Sequence, residues 1–238
     1  MKRIDDTDLV RREYASLDRL ARRRLDVTGW IRGLDEYDEL LRAVAEVRPR
    51  RVLDAGSGHG DYAAVIAAPE VVCVDQSEAA VEAARARELD ARVADIANLA
   101  FADGEFDAIV CNHVLYHLPD RDKGIAELAR VLRPGGRFAG IYNFRDHLAE
   151  VWDAVGDPWV EQPGFDCESG GDELAGHFGR VECRPTRGSV VWLEREDLQA
   201  YLHSYSELLG PLEAPSGPYP FIARRHNCVL VADVRPIE

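Results

Sequence analysis

Apolar positions along the chain alternate between helical and extended spacing, and the alternation outlines a fold. Behind Thr7, a residue suited to capping, Val10, Tyr14, Leu17, Ala21 and Leu25 recur every three or four residues and predict a helix with one buried face. Gly29 and Gly33 lie in the join to a second helix, where Leu34, Tyr37, Leu40, Leu41, Val44 and Val47 keep the same spacing. Pro49 ends that pattern, and Val52-Leu53 reads as a short buried strand. A glycine-rich turn and a helix-like run over 62–67 follow, and Pro69 precedes the wholly apolar Val71-Val72-Cys73-Val74. Ser77 predicts the cap of a helix through Arg87 that buries Ala80, Val81 and Ala84. A third strand over 91–94 and a fourth leading to Asn112 come next. A helix over 121–132, burying Ile125, Leu128 and Leu132, and a fifth strand over 137–142 complete an alternation of strand and helix, the pattern of an α/β fold built on a mostly parallel sheet.

Beyond Asn143 the pattern loosens. His147, Leu148, Val151, Trp152 and Val155 predict a short amphipathic helix. The stretch 157–171, with Pro158, Trp159, Pro163 and Phe165, is long for a loop in a compact domain and is expected to be a substrate lid. Alternation over 181–193, a helix over 196–209 with Leu198, Tyr201, Leu202, Tyr205 and Leu208 on one side, and a last strand over 227–234 predict a closing antiparallel hairpin. The expected organisation is one domain: a helical cap (1–48), a core (49–145), a lid insertion (146–180) and the closing strands and helix (181–238).

Composition narrows the function. The 238 residues are 46% hydrophobic and 30% charged, with no apolar run of membrane-spanning length and no leader-like segment at the start, so a cytoplasmic protein without a membrane partner is expected. The net charge of −14 repels phosphate backbones, and the basic run Arg22-Arg23-Arg24 is flanked by Asp18 and Asp26, so nucleic acid is disfavoured as a partner. The five cysteines, Cys73, Cys111, Cys167, Cys183 and Cys228, form no C-x-x-C pair and are read as free thiols, neither disulfide frame nor metal site.

The candidate chemistry sits at strand ends. After Leu53 the chain runs Asp54-Ala55-Gly56-Ser57-Gly58-His59-Gly60, a turn whose glycines let the backbone bend sharply and approach a ligand. The dinucleotide pattern G-x-G-x-x-G would need glycine where Asp61 stands, and no Gly-Lys-Ser/Thr follows. Asp75, with Gln76, ends the second strand, where a carboxylate is placed to accept ribose hydroxyls or, more plainly, to cap the next helix. Asp95 ends the third strand.

The spacing Asp54-x-Gly56-x-Gly58-x-Gly60 resembles motif I of the class I S-adenosylmethionine-dependent methyltransferases. The segment from Asp95 through Leu99, Phe101, Asp103-Gly104 and Phe106-Asp107 is similar to that of small-molecule members such as the quinone-biosynthesis methyltransferases, as is the turn Leu132-Arg133-Pro134-Gly135-Gly136. The resemblance implies a Rossmann-like, mostly parallel seven-stranded sheet with an antiparallel last strand and helices on both faces. It also implies S-adenosylmethionine as cofactor and S-adenosylhomocysteine as product. In that reading Asp54, Gly56, Ser57, Gly58, Gly60, Gln76, Asn112 and His113 line the cofactor site, with glycine backbone carbonyls receiving the methionyl ammonium. Asp75 receives the ribose, Asp95 the adenine amino group, and the Ile96 N–H meets a ring nitrogen. Tyr14 is a further cofactor contact. His113 and His117 are candidate bases, and Tyr116, Tyr142, His147, Trp152 and Trp159 candidate acceptor contacts.

Methyl transfer is an in-line displacement, so holding donor and acceptor together can supply roughly 7–11 kcal/mol of the barrier. Tyrosine faces near the sulfonium add about 0.5–2 kcal/mol when desolvated. The acceptor is expected to be a small molecule offering an O, N or C nucleophile, and the protein to be a monomer or homodimer. A tRNA-modifying enzyme, using Arg22-Arg24 and Arg224-Arg225, and a non-catalytic S-adenosylmethionine-binding protein stay open.

Overall fold

The computed structural model describes residues 32–33, 36–156 and 164–234. The first predicted helix with Tyr14, the run Arg22-Arg24 and Trp159 lie outside the described residues. The strands are β1 (Arg32–Gly33), β2 (Arg51–Ala55), β3 (Glu70–Asp75), β4 (Asp90–Val93), β5 (Phe106–Val110), β6 (Leu132–Asn143), β7 (Arg180–Trp192) and β8 (Phe221–Asp233). The helices are α1 (Glu36–Ala45), α2 (Glu78–Arg85), α3 (Arg121–Val131), α4 (Ala149–Val155), α5 (Gly170–Ala175), α6 (Arg195–His203) and α7 (Ser206–Leu209).

One sheet holds all the strands in the order β1-β7-β8-β6-β5-β2-β3-β4. Strands β4, β3, β2, β5 and β6 are parallel, β8 enters antiparallel between β6 and β7, and the two-residue β1 makes an eighth strand where seven were expected. Helices cover both faces. On one, Leu40, Ala43 and Val44 of α1 close over Val52, Ala108, Val110, Ile141 and Val229. On the other, Ile125, Leu128 and Val131 of α3 pack on Leu53, Ile109, Phe106 and Phe138.

Local signals account for most elements. Ser77 caps α2, its Oγ accepting the Ala80 N–H, and Ala80, Val81 and Ala84 are buried as their spacing requires. Asp120 caps α3 through the Lys123 N–H.

Three elements depart from expectation. The helix after the glycine turn is a single 3-10 turn, Ala63–Val65, which ends where Ile66 takes an extended backbone at φ −69° and ψ 123°. The Leu132–Gly136 segment is absorbed into β6 as an irregular stretch, with Gly135 at φ +70° and register shifting between Phe106 and Ala108. The predicted helix over 196–209 breaks into α6 and α7 near Ser204, whose hydroxyl donates to the Tyr201 carbonyl and competes with the helix ladder.

The β7–β8 ribbon outruns the sheet. Asn143 is the last residue of β6 paired with β8, opposite Asn227, so 187–192 and 221–226 continue roughly 20 Å past that edge at about 3.4 Å per residue. Around this extension Leu148, Val151, Trp152, Val190, Trp192, Leu198 and Tyr201 form a separate apolar cluster.

The cysteine reading is corrected. Cys167 and Cys228 are joined by a disulfide, while Cys73 and Cys111 are buried free thiols and Cys183 is an exposed one. Sixty-one residues separate the bonded pair, which meet because the segment after Gly164 folds back on β8, and no local spacing encodes that.

Candidate functional site

The tips of β2, β3 and β4 are neighbours in the sheet, about 4.8 Å apart per strand, and each carries one of the sequence-predicted features. From β2 the chain enters the glycine turn, where Gly56, Gly58 and Gly60 all have positive φ, at +75°, +54° and +75°. A Cβ on Gly56 would lie 2.3 Å from Val114 Cγ2, and one on Gly60 would lie 2.2 Å from Leu89 Cδ1, so with their positive φ both positions favour glycine. The N–H groups of Gly56 and Ser57 donate to the Val74 carbonyl, fastening the turn to β3.

Asp75 joins the same turn. Its Oδ2 accepts the Gly58 N–H at 2.9 Å and its Oδ1 the Ser77 N–H at 2.8 Å. A carboxylate has about four acceptor positions, so lone pairs are left for ligand hydroxyls. Burial raises its pKa above the ordinary carboxylate value. Gln76 beside it is exposed. Asp95, past the end of β4, is exposed and accepts the Ala97 N–H at 2.9 Å, while Ile96 is buried. Asp54 is buried in β2.

Past β5, Asn112 Oδ1 accepts the Ile141 N–H at 2.9 Å and so ties this tip to β6. His113 has φ +56°, uncommon for a residue with a side chain and typical of functional sites, and its N–H donates to the Ile141 carbonyl. Its ring lies 6.5 Å from both Tyr116 and Tyr142, and Tyr116 lies 4.4 Å from His117. His113, Tyr116 and His117 are half-buried and come together as one aromatic group at this edge.

Other predicted acceptor contacts sit elsewhere. Tyr142 is fully buried, its hydroxyl donating to the Cys111 carbonyl at 2.7 Å and its ring 4.8 Å from Phe165, so it backs the site without facing it. Trp152 belongs to the apolar cluster under the ribbon. His147 accepts the His226 N–H on Nδ1, and burial depresses its pKa to about 4, so it is neutral at ordinary pH. Part of the expected lid is pinned down: Phe165 is wholly buried, Asp166 binds Arg145 at 2.6 Å, and Cys167 is disulfide-bonded.

The geometry tests the cofactor and fits it. The positive-φ glycine turn, the half-buried Asp75 bonded to that turn and Asp95 one strand further are residues that would hold a nucleoside. The residues matching the methyltransferase domain model, 53–140, span these tips. The matched segment is similar to the methyltransferase domain, and the fold is shared with the solved structures described below. Among curated proteins the chain is similar to methyltransferases named for quinone biosynthesis. It is 43% identical over 103 residues to a demethylmenaquinone methyltransferase of Clavibacter sepedonicus, covering 40% of this chain and 42% of that protein. It is 34% identical over 149 residues to a ubiquinone biosynthesis O-methyltransferase of Alkalilimnicola ehrlichii, covering 55% and 60%. The chain thus spans about half the length of these curated relatives.

Solved structures share the fold at low identity. The YcgJ protein of Bacillus subtilis superposes with a TM-score of 0.60 at 16% identity, covering 84% of this chain and 98% of that one. The N-methyltransferase NodS of Bradyrhizobium japonicum, in complex with S-adenosylhomocysteine, gives 0.52 at 18%, covering 84% and 85%. Among the described residues no helix is long and apolar enough to cross a membrane, and no group of His, Cys, Asp and Glu is arranged to hold a metal.

Proposed function

We propose that this chain transfers the methyl group of S-adenosylmethionine to a small-molecule acceptor. The observation that carries the reading is the bond from Gly58 N–H to Asp75 Oδ2, which makes the glycine turn and the ribose carboxylate one unit, with Asp95 on the adjacent tip. The cofactor supplies an activated methyl: the acceptor's lone pair bonds to its carbon, the carbon–sulfur bond breaks with its electrons going to sulfur, and the acceptor's proton leaves. Gly56 to Gly60 hold the methionine end, Asp75 the ribose and Asp95 the adenine. Asn112 and His113 mark the boundary with the acceptor. The strained backbone of His113 supports a role as the base that takes the proton of a hydroxyl acceptor, with Tyr116 and His117 forming its wall.

A nucleic-acid substrate is less well supported. Arg224 is paired with Asp146 and Glu150, and the buried Arg225 is paired with Glu36, so neither offers an unengaged cation to a phosphate. Calorimetry with S-adenosylhomocysteine tests the cofactor half, with saturable micromolar-range binding expected and no heat at millimolar ligand refuting it. Transfer of labelled methyl to small molecules tests the rest.

A further inference from the structure

A second polar set lies on the α1 face of the sheet, at the edge beyond β5. Asn143, Asn227 and Thr186 are direct cross-strand partners on β6, β8 and β7, so they form one row on one face, level with the end of β6. Arg225, two residues before Asn227, shares that face, which its ion pair with Glu36 of α1 identifies. Immediately below are Ile141 and Val229 of the α1-facing core, so the surface turns from apolar to polar at the ligand-bearing edge.

Three of these side chains are almost wholly buried, with Thr186 and Asn227 at 3% exposure and Arg225 at 5%. Asn227 Nδ2 donates to Asn143 Oδ1 at 2.6 Å. Yet Thr186 Oγ1, Asn227 Oδ1 and Arg225 Nη1 have no hydrogen-bond partner. Buried polar atoms left in this state cost stability, and three of them on one face, two in this row and one on Arg225 in the next, call for a ligand. The row begins one strand from the tip that carries His113 and runs away from the cofactor tips, on the side left for the acceptor.

Resting on the methyltransferase reading above, we infer that this row recognises the acceptor and selects an uncharged molecule presenting at least two neighbouring hydroxyl groups. The unmet atoms are a donor on Arg225, an acceptor on Asn227 and a hydroxyl on Thr186 that does both. A hydroxyl group, donor and acceptor at once, satisfies each of them. Glu36 balances the Arg225 charge, so the site does not call for an anion. Gly188, the strand partner of Arg225, adds no side chain beside the guanidinium.

The test is calorimetry on the full chain saturated with S-adenosylhomocysteine. The probes are catechol against phenol, methyl glucoside against its 2-deoxy counterpart, and benzoate as the charged control. At least one diol should bind tenfold or more tightly than its singly deoxygenated partner and than benzoate. Thr186→Val should erase that preference, Thr186→Ser should keep it, and both should bind S-adenosylhomocysteine as wild type does. Because Thr186→Val removes an unmet buried hydroxyl, its Tm should rise by about 2–4 °C. No diol preference in the wild type, a preference that survives in Thr186→Val, benzoate binding as well as the diols, or a lowered Tm in Thr186→Val would each overturn the inference. Absence of S-adenosylhomocysteine binding in wild type would instead overturn the cofactor reading beneath it.

Discussion

Replacing Asp75 with alanine separates the two jobs its carboxylate performs. In the free protein it anchors the Gly58 and Ser77 N–H groups, and these bonds are present with or without ligand. Losing them lowers fold stability and leaves the glycine turn less ordered. Under the proposed function its remaining lone pairs meet ribose hydroxyls only in the complex, so their loss would appear in affinity. One hydrogen bond to a charged acceptor contributes about 1.5–3 kcal/mol. At about 1.4 kcal/mol per decade, loss of one such bond weakens S-adenosylhomocysteine binding roughly 10- to 150-fold. The assay is isothermal calorimetry at neutral pH, with urea unfolding run in parallel to confirm that the variant stays folded. Burial raises the Asp75 pKa, so wild-type affinity should also fall as the pH drops toward that raised value and the anion is lost, a dependence absent from the variant. A folded Asp75→Ala protein whose Kd lies within twofold of wild type would show that the carboxylate does not meet the ribose, and the order of strand tips would lose its meaning.

Three further outcomes are expected. Gly56→Ala should cost about 1–2 kcal/mol for its left-handed φ, plus about 1–3 kcal/mol for the Cβ pressed against Val114. Adding Val114→Ala should restore only the steric part, and full restoration in urea unfolding would show that the backbone carries no strain. His147 has its folded pKa depressed to about 4, so its proton is bound more readily by the unfolded chain; stability is fully present above about pH 6.5 and declines, by at most about 3 kcal/mol, as pH falls toward 4. His147→Asn, which keeps an acceptor for the His226 N–H, should flatten that decline, and an unchanged pH profile would refute the assignment. Cys228→Ser opens a loop closed across 61 residues, with a loss of about 2–4 kcal/mol in non-reducing urea unfolding and little difference from wild type under reductant; equal stability under both conditions would count against the bond.

The features proposed to hold the cofactor were readable in the order of the residues because each is local. A strand, the glycines that end it, and the acid at the tip of the next strand are set by a few consecutive positions, as at Leu53 to Gly60 and at Val74-Asp75. The cap on Ser77 and the buried face of α2 are local in the same way. Only the folded chain decided which residues surround the proposed acceptor side. Tyr142 and Trp152 carry the same aromatic signal as Tyr116, and it is packing that sends the first two inward and leaves the third at the edge. Asn143, Thr186 and Asn227 are far apart along the chain and share a row because of strand register, just as Cys167 reaches Cys228 through a fold-back. Register between distant strands arises from the summed burial of whole faces, and no short stretch of residues holds that sum.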